Sequence, residues 1–361
     1  MKALFIAPII VPHINLETYF FNALKQKNIT FARYGYNEMK IDTAAARVAP
    51  ATKQKRLLVR LAKKILPASV FSRRAGRRAQ MLFETIEKTV PDFLLAFSKG
   101  IPPQVVNQIK AKYPSLPLIG LAVDDPQDFE RSKTHSPHYH LFFSNDTYSM
   151  EKHRELGANC YWLPFAADPE LNAPIDVSAE EKKQYASDIV FIGSVYAERA
   201  ELLRSLTEYD LAIWGPERGF STDAGDLRKY YRGPATEIEV RKIYSCAKIV
   251  VNPQYGYARY VERGNWVNLR IFEAACNGIF QLTDYKKDLD DLYDTEEEII
   301  CFKDAADLKE KVQYYLEHED IREQMARKAR EKTIAQHLYT HRLEFLLEKT
   351  TELSGFNLQS S

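Results

Sequence analysis

Short apolar runs alternate with helical patterns along the whole chain. The apolar runs of the first half, separated by helical patterns such as Leu16–Lys27 or by turn signals, are Lys2–Ala7, Ile29–Tyr34, Phe93–Ser98, Leu118–Val123, His140–Ser144 and Cys160–Leu163. Runs of this length between turn signals are typical of buried strands. Strands that alternate with helices predict an α/β fold built on a parallel sheet.

A second series of the same kind follows a polar segment with two prolines, Asp168–Asp188. Its predicted strands are Ile189–Gly193, Leu211–Trp214, Ile249–Val251 and Ile299–Phe302, and its predicted helices are Arg199–Leu206, Glu237–Cys246, Asp307–His318, Ile321–Lys332 and Thr340–Leu353. Two α/β series joined by a polar segment indicate two domains. We predict an N-terminal domain over 1–170, a linker over 171–187, a second domain over 188–338, and a final helix and tail over 339–361.

Composition agrees with a globular protein of two domains. The chain has 361 residues, of which 45% are hydrophobic and 27% charged, as expected for a globular protein of this length. The start of the chain lacks a signal-peptide pattern, and no apolar run is long enough to span a bilayer. The four cysteines are too scattered for a disulfide framework. These features predict a cytoplasmic protein.

The segment Asn268–Gly278, with the apolar run after it, is the most informative stretch of the sequence. It predicts a polar loop, a short helix stopped by Gly278, and then a buried strand. A helix N-terminus offers unpaired N–H groups to a phosphate. Arg270 and Glu273 lie on one helix face, where one could bind an anion and the other a sugar hydroxyl. A solvated ion pair is the alternative.

A second phosphate-binding element is predicted where the strand Ile189–Gly193 ends. Gly193 and Ser194 come directly after that strand, and a glycine there permits close approach by a diphosphate. Arg199, a few residues on, could neutralise phosphate charge as a leaving group departs. A simple glycine turn and an exposed helix arginine are the alternatives.

Three residues are candidates for the catalytic base in the first half. Asp124 and Asp125 follow the strand Leu118–Val123, and His13 lies in the loop after the first strand. Each could accept the proton of an acceptor hydroxyl. An Asx turn before Pro126 and a structural loop histidine are the alternatives. We predict no metal site, because the histidines at 135, 138 and 140 have no companion cysteine or carboxylate pattern.

The charge of the chain is unevenly distributed. Its net charge is only +1, yet residues 43–83 contain eleven Lys or Arg and no acid. Over 56–66 the pattern predicts a basic amphipathic helix, with Leu57, Leu61 and Ile65 on its apolar face and Arg60, Lys63 and Lys64 on the other. Such a helix could pack on the first sheet, contact an anionic membrane through 56–78, or bind an anionic acceptor. Nucleic acid is not expected, since the stretch lacks interleaved aromatic residues.

Several motifs in order resemble a known family. The segments DIVFIGS, LAIWGP, YYRGPATEIEVRKIYSCAKIVVNPQ, NLRIFEAACNG and HLYTHR, spread over 188–347, are similar to the CgeB-like group of GT-B glycosyltransferases. The resemblance implies two Rossmann-like domains facing a central cleft, with the last helix crossing back to the first domain. It also implies a nucleoside-diphosphate sugar as donor substrate on the second domain, and a glycan, lipid-linked or protein acceptor.

Site residues can be carried over from the resemblance one by one. It implies that Glu273 binds the ribose, that Gly193 and Ser194 form the donor-phosphate loop, and that Asn268, Leu269 and Arg270 form the Asn-Leu-Arg element. Many retaining relatives have a second glutamate eight residues before this one, where this chain has Asn265. The stereochemical course therefore stays open. A nucleotide-sugar epimerase and a non-catalytic sugar- or nucleotide-binding protein are the rival interpretations.

Overall fold

The computed structural model describes residues 1–7, 16–37, 40–42, 68–97, 100–220, 222–254 and 264–353. The chain divides into two compact units. The first comprises Met1–Ser144, Ser149–Trp162 and Leu343–Ser361, and the second comprises Asn145–Tyr148 and Leu163–Arg342. In the described ranges, no helix has the length and apolar character needed to cross a membrane.

The first unit is built on a seven-stranded sheet with the order β3-β2-β1-β4-β5-β6-β7. All neighbouring strands are parallel except β3, which runs antiparallel to β2. The strands are β1 Lys2–Ala7, β2 Thr30–Gly35, β3 Lys40–Asp42, β4 Phe93–Phe97, β5 Leu118–Ala122, β6 Leu141–Ser144 and β7 Cys160–Trp162. All residues of β5 and β6 are buried, as expected for strands covered on both faces.

The second unit is built on a six-stranded sheet that is parallel throughout, with the order β10-β9-β8-β11-β12-β13. Its strands are β8 Ser187–Ile192, β9 Leu211–Trp214, β10 Tyr231–Gly233, β11 Ala247–Val251, β12 Phe280–Asp284 and β13 Ile300–Phe302. In each sheet the first strand of the unit lies beside the fourth. Strand order therefore reverses between β1 and β4, and again between β8 and β11. Ligands of such sheets bind at this switch point, outside the carboxyl ends of the strands.

Thirteen α-helices lie within the described residues. They are α1 Leu16–Gln26, α2 Ala68–Thr89, α3 Pro103–Lys112, α4 Phe129–Ser132, α5 Thr147–Glu155, α6 Pro169–Asn172, α7 Ala179–Tyr185, α8 Ala197–Arg204, α9 Glu237–Cys246, α10 Leu269–Asn277, α11 Ala305–Glu317, α12 Glu319–Gln336 and α13 Tyr339–Thr351. Short 3₁₀ turns occupy Ser136–His138, Glu217–Gly219, Thr222–Tyr230 and Lys287–Leu289. The described helices and the two sheets confirm the predicted α/β class.

The last helix belongs to the first unit over most of its length. Phe345 of α13 packs edge-on against Phe143 of β6 and Tyr161 of β7, with ring centroids 6.2 and 6.3 Å apart. Lys27 forms an ion pair with Glu344 on the same helix. The chain thus leaves the second unit after Arg342, and the rest of α13 belongs to the first unit. The predicted return of the final helix is confirmed.

Arg342, the last residue of the second unit, holds two segments of that unit together. Its guanidinium donates to the carbonyls of Pro164, Phe165 and Gln336 at 3.0 to 3.3 Å and lies 3.2 Å from Nδ1 of His337. The residue is 9% exposed, and burial lowers its pKa to about 10. Burial also lowers the pKa of His337 to about 4, so this imidazole is neutral at physiological pH and can accept from the guanidinium.

Candidate active site

The loop after β8 lies at the switch point of the second sheet. The backbone N–H of Gly193 donates to the carbonyl of Trp214 at 2.9 Å, which extends the β8–β9 ladder by one residue. Gly215 has φ +146°, and a Cβ on it would penetrate the carbonyl of Gly193. A Cβ on Gly219 would likewise meet Oγ of Ser194 at 2.6 Å. Gly215 and Gly219 therefore allow their segments to pack closely on the Gly193–Ser194 loop. A side chain at either position would displace that loop.

Arg199 points back towards this loop from the first turn of α8. Its Nη1 donates to the carbonyl of Ser194 at 3.1 Å, and its guanidinium lies 5.5 Å from the ring centroid of Phe191. Burial lowers its pKa, which is the effect of desolvating a cation. Within the described ranges, Arg199 has no carboxylate partner at ion-pair distance, and its buried Nε has no hydrogen-bond acceptor. A partly buried cation in this state provides charge and a donor for an anion.

The start of α8 adds further donors. The helix is preceded by Tyr196, which forms no side-chain capping bond. The first N–H groups of an α-helix have no partner within the helix. Together with the partial positive charge of the helix terminus, they favour an anion at this position.

A buried hydrogen-bond network fixes the start of α10 on the carboxyl ends of β11 and β12. Asn268 caps α10 by accepting from the N–H of Ile271 at 3.3 Å, and its own N–H donates to Oε1 of Gln254 at 2.9 Å. The N–H of Gln254 donates to the carboxylate of Asp284. Burial raises the pKa of Asp284, although Lys286 and Arg199 oppose that shift. The predicted helix and its glycine stop at Gly278, with φ +88°, are confirmed.

Asn252 lies at the same carboxyl edge of the sheet and has a side-chain N–H group without an acceptor. Its Oδ1 accepts from Nδ2 of Asn268 at 3.4 Å. Its own Nδ2 is buried and has no acceptor among the residues that the structure describes. Asn252 is 6% exposed and follows β11 directly, beside the loop after β8. A buried amide donor in this position is available to a ligand.

Sequence reasoning missed Asn252, Gln254 and Asp284 as site residues. The sequence contained a signal for them, because each lies at the end of a predicted strand. Asn252 and Gln254 come after the run Lys248–Val251, and Asp284 is the last residue of the run Ile279–Asp284. The same reasoning, that polar groups at the carboxyl ends of parallel strands lie near the ligand, had been applied to Asp124 and Asp125.

The structure brings Arg270 and Glu273 into contact. Nη1 of Arg270 donates to Oε2 of Glu273 at 2.6 Å. Glu273 is 4% exposed, whereas the side chain of Arg270 is 39% exposed. Arg270 also acts electrostatically on Tyr244 and lowers its pKa, against the larger effect of burial, which raises it. Leu269 begins the helix and is partly exposed. Arg270 and Glu273 therefore form an ion pair in the first turns of α10, the helix that Asn268 caps. Its carboxylate is buried and its guanidinium is partly exposed.

Asn265, which occupies the position of the second glutamate of retaining relatives, is held by its own network in the second unit. Its N–H donates to Oδ1 of Asp146 at 2.6 Å, and its side-chain amide donates to Oγ1 of Thr147 at 2.9 Å. Thr147 in turn donates its N–H and its hydroxyl to Asp288, the first at 3.1 Å. Asp288 is 1% exposed, and burial raises its pKa to about 6. Asn265 is thus held by the carboxylate of Asp146 and by Thr147, which Asp288 binds in turn.

In the first unit, Asp124 and Asp125 lie in different surroundings. Asp124 is exposed at the carboxyl end of β5. Asp125 is 2% exposed, and its carboxylate accepts from the hydroxyls of Ser132 at 2.7 Å and Ser144 at 3.0 Å. Asp124 is accessible to an acceptor, whereas the fold encloses Asp125.

His153 extends the network around Asp125. Its Nε2 lies 2.9 Å from Oδ2 of Asp125, and its Nδ1 lies 2.9 Å from Oγ of Ser136. The imidazole is fully buried and packs between the rings of Phe129 and Phe142, each with its centroid 4.9 Å away. In the neutral tautomer that donates from Nε2 to the carboxylate, Nδ1 accepts from the hydroxyl of Ser136. This network anchors the loop that carries Asp124.

Two predicted features lie outside the described residues. These are His13 and the basic amphipathic pattern over 56–66. In the described ranges, no group of three or more His, Cys, Asp or Glu has an arrangement that could hold a metal ion.

Comparisons with known proteins agree with this architecture. Residues 199–348 match the family described as "Glycosyl transferase-like". A comparison with curated proteins finds no match.

Solved structures with the same fold cover almost the whole chain. Sucrose-phosphate synthase from Thermosynechococcus elongatus is 12% identical, with a TM-score of 0.67 over 97% of this chain and 99% of its own. HepE from Anabaena, solved in complex with UDP-glucose, is 10% identical, with a TM-score of 0.64 over 98% and 100%. Trehalose 6-phosphate synthase from Burkholderia multivorans is 9% identical, with a TM-score of 0.57 over 96% and 97%.

The matched region contains Arg199, Asn268, Arg270 and Glu273. The fold is that of GT-B glycosyltransferases. Residues 199–348 form the glycosyl transferase-like domain of the chain.

Proposed function

We propose that the protein transfers a sugar from a nucleoside-diphosphate sugar, bound on the second unit, to an acceptor hydroxyl. The observation that carries this proposal is the excess of buried donors at the carboxyl edge of the second sheet. Arg199 and Asn252 each retain a buried N–H without an acceptor in the described part of the chain. Native proteins rarely leave such groups unsatisfied, and a diphosphate would supply the acceptor oxygens.

The diphosphate is the leaving group, and its departure develops negative charge. Arg199, the first N–H groups of α8 and the Gly193–Ser194 backbone are already placed where that charge would develop, so they stabilise it without reorganisation. We propose that these groups take the place of a metal ion in this role. The partly exposed Arg270 lies near the same edge.

Glu273 is proposed to accept a hydrogen bond from a ribose hydroxyl, with Arg270 holding its other oxygen. The capped start of α10 supports this role, because Asn268 anchors the helix to β11 and β12 through Asn252 and Gln254. Leu269 would line the donor beside them. The ordered motifs of the second half favour a CgeB-like member of the class.

On the first unit we propose Asp124 as the base or acceptor-orienting residue. It is exposed at a strand's carboxyl end, whereas Asp125 is enclosed by Ser132, Ser144 and His153. Asp125 then positions the loop, in place of the catalytic role considered for it from sequence. His13 stays a candidate base. HepE was solved with UDP-glucose, and UDP is therefore the first nucleotide to test.

The test is calorimetric binding of UDP to three variants. Arg199→Gln removes a charge-assisted contact worth about 1.5–3 kcal/mol, so UDP affinity should fall about ten- to a hundredfold. Glu273→Ala should weaken UDP binding while the fold persists. Arg204→Gln is the control, since Arg204 lies at the other end of α8 and pairs with Asp226 at 2.8 Å.

Two results would contradict the proposal. One is equal UDP affinity in all three variants and wild type, and the other is no binding of UDP or of any other nucleoside diphosphate. The epimerase alternative is distinguished by nuclear magnetic resonance of a nucleotide sugar incubated without acceptor. A changed sugar configuration would favour an epimerase, whereas an unchanged donor that turns over only with acceptor favours transfer.

A further inference from the structure

Two tyrosines at the carboxyl end of β2 lie beneath α2 in the first unit. Tyr34 and Tyr36 are 0% and 4% exposed, and being two residues apart they point to the same side of the chain. Their rings meet edge-on, with centroids 6.5 Å apart. Tyr34 Oη donates to the carbonyl of Arg78 at 3.1 Å, which places this pair against the turn of α2 that carries Arg78.

Two buried polar groups of this tyrosine pair and helix α2 form no hydrogen bond among the described residues. Within the described ranges, the hydroxyl of Tyr36 and the Nε of Arg78 are buried without a hydrogen-bond partner. The charge of Arg78 lowers the pKa of Tyr36, against the larger effect of burial, which raises it. The guanidinium is therefore within electrostatic reach of the hydroxyl.

The described acids do not neutralise Arg78. No carboxylate of the described chain forms an ion pair with it. Glu84 acts on Tyr34 and accepts from Gln80 at 3.0 Å. Arg78 is partly exposed, so a ligand can approach this side chain from solvent, whereas Tyr36 is buried.

We propose that Arg78 and Tyr36 form a subsite for a phosphate group of the acceptor. The planar guanidinium and the phenol offer several donors, and phosphate oxygens are the acceptors that suit this arrangement. The subsite lies at the carboxyl edge of the first sheet, on the strand beside β1, where α/β sheets bind ligands.

The proposal rests on the proposed function, since it assigns the phosphate to an acceptor. The phosphate could come from two sources. One is a free phosphate ester, such as a sugar phosphate, and the other is the headgroup of a lipid acceptor in an anionic membrane. Both present the same oxygens to Arg78.

Calorimetry with inorganic phosphate as the probe tests the subsite. The full chain is first saturated with UDP, so that the donor edge of the second unit is filled. Arg78→Gln should lower phosphate affinity by at least about tenfold, as expected for loss of a charge-assisted contact, and Tyr36→Phe by a few-fold. Arg77→Gln is the matched control, because Arg77 is the exposed neighbour on α2 and should leave phosphate binding unchanged.

Each outcome decides the proposal. Absence of phosphate binding to the wild type, or equal losses in Arg78→Gln and Arg77→Gln, would overturn it, since the second result indicates diffuse charge. Arg78→Lys keeps the charge but loses the paired N–H donors of the guanidinium, so it should bind phosphate with intermediate affinity. This graded loss distinguishes a lost contact from a misfolded variant. Unchanged UDP affinity in all variants places the effect in the first unit.

Failure of the proposed function gives a different pattern. If UDP does not bind at all, the same phosphate titrations without UDP still compare Arg78→Gln with Arg77→Gln. Sedimentation with phosphatidylcholine vesicles, with and without phosphatidic acid, separates the two sources. Sedimentation that needs phosphatidic acid and Arg78 identifies a lipid headgroup, whereas glucose 6-phosphate binding without sedimentation identifies a free phosphate ester.

Discussion

Asp288 should make the stability of the second unit depend on pH in an unusual direction. Its carboxyl is 1% exposed and accepts from the N–H and hydroxyl of Thr147. Burial raises its pKa from 3.8 to about 6, and Asp146 and Asp291 add to that shift. The folded protein therefore holds this proton more tightly than the unfolded chain does. The stabilisation is complete below pH 3.8, is lost as pH rises towards 6, and changes no further above that.

The size of the effect follows from the shift. A difference of about two pKa units corresponds to about 3 kcal/mol at about 1.4 kcal/mol per unit. Between pH 4.5 and 7, where the experiment is practical, about 2 kcal/mol of this remains. Asp288→Asn cannot titrate, so the free energy of unfolding of the wild type should fall by about 2 kcal/mol relative to the variant over that range.

Urea unfolding followed by tryptophan fluorescence measures this difference. The chain has three tryptophans, and Trp162→Phe leaves only Trp214 and Trp266, both in the second unit. Asp291→Asn, an exposed neighbour, is the control and should largely keep the wild-type slope. Parallel curves for wild type and Asp288→Asn would refute the reasoning, as would a wild type that gains stability relative to the variant with rising pH.

Two further substitutions test other parts of the second unit. Arg342→Met should lower the free energy of unfolding by about 3 kcal/mol, because it leaves buried carbonyls without a donor; urea unfolding measures this, and a loss below about 1 kcal/mol would contradict it. Gly215→Ala should weaken UDP binding at least about tenfold, since its Cβ would displace the carbonyl of Gly193 at a positive φ. Gly225→Ala, which meets no atom within 4 Å, should bind UDP like the wild type.

The sequence predicted those parts of the fold that depend on local pattern. Strands such as Lys2–Ala7 and Leu211–Trp214 lie where apolar runs predicted them, because a strand buried on both faces is continuously apolar. The stop at Gly278 was predicted because many helices end with a residue in the left-handed conformation, which glycine adopts readily. The helix Ala179–Tyr185 was missed inside a segment interpreted as a linker, although Ser178 and Glu181 form a capping box.

The candidate site depended on contacts that spacing does not reveal. Arg270 and Glu273 were placed on one face, but their contact and the burial of Glu273 arise from packing. Asp124 and Asp125 looked equivalent, because adjacent positions give no indication of which carboxylate faces the core. The partners that enclose Asp125 are 7 to 28 residues away along the chain. Such long-range neighbours follow from topology, which a single sequence does not specify.

The network around Asp125 contains the three residue types of a serine hydrolase active site. Asp125, His153 and Ser136 are linked in the order of a hydrolase triad, with both hydrogen bonds at 2.9 Å. Each of the three is at most 2% exposed, so no ester could reach the serine. The imidazole is also reversed relative to that triad, because Nδ1 faces the serine and Nε2 faces the aspartate. A fluorophosphonate reagent should therefore leave Ser136 unlabelled. Burial and the reversed imidazole together separate this structural network from a catalytic one.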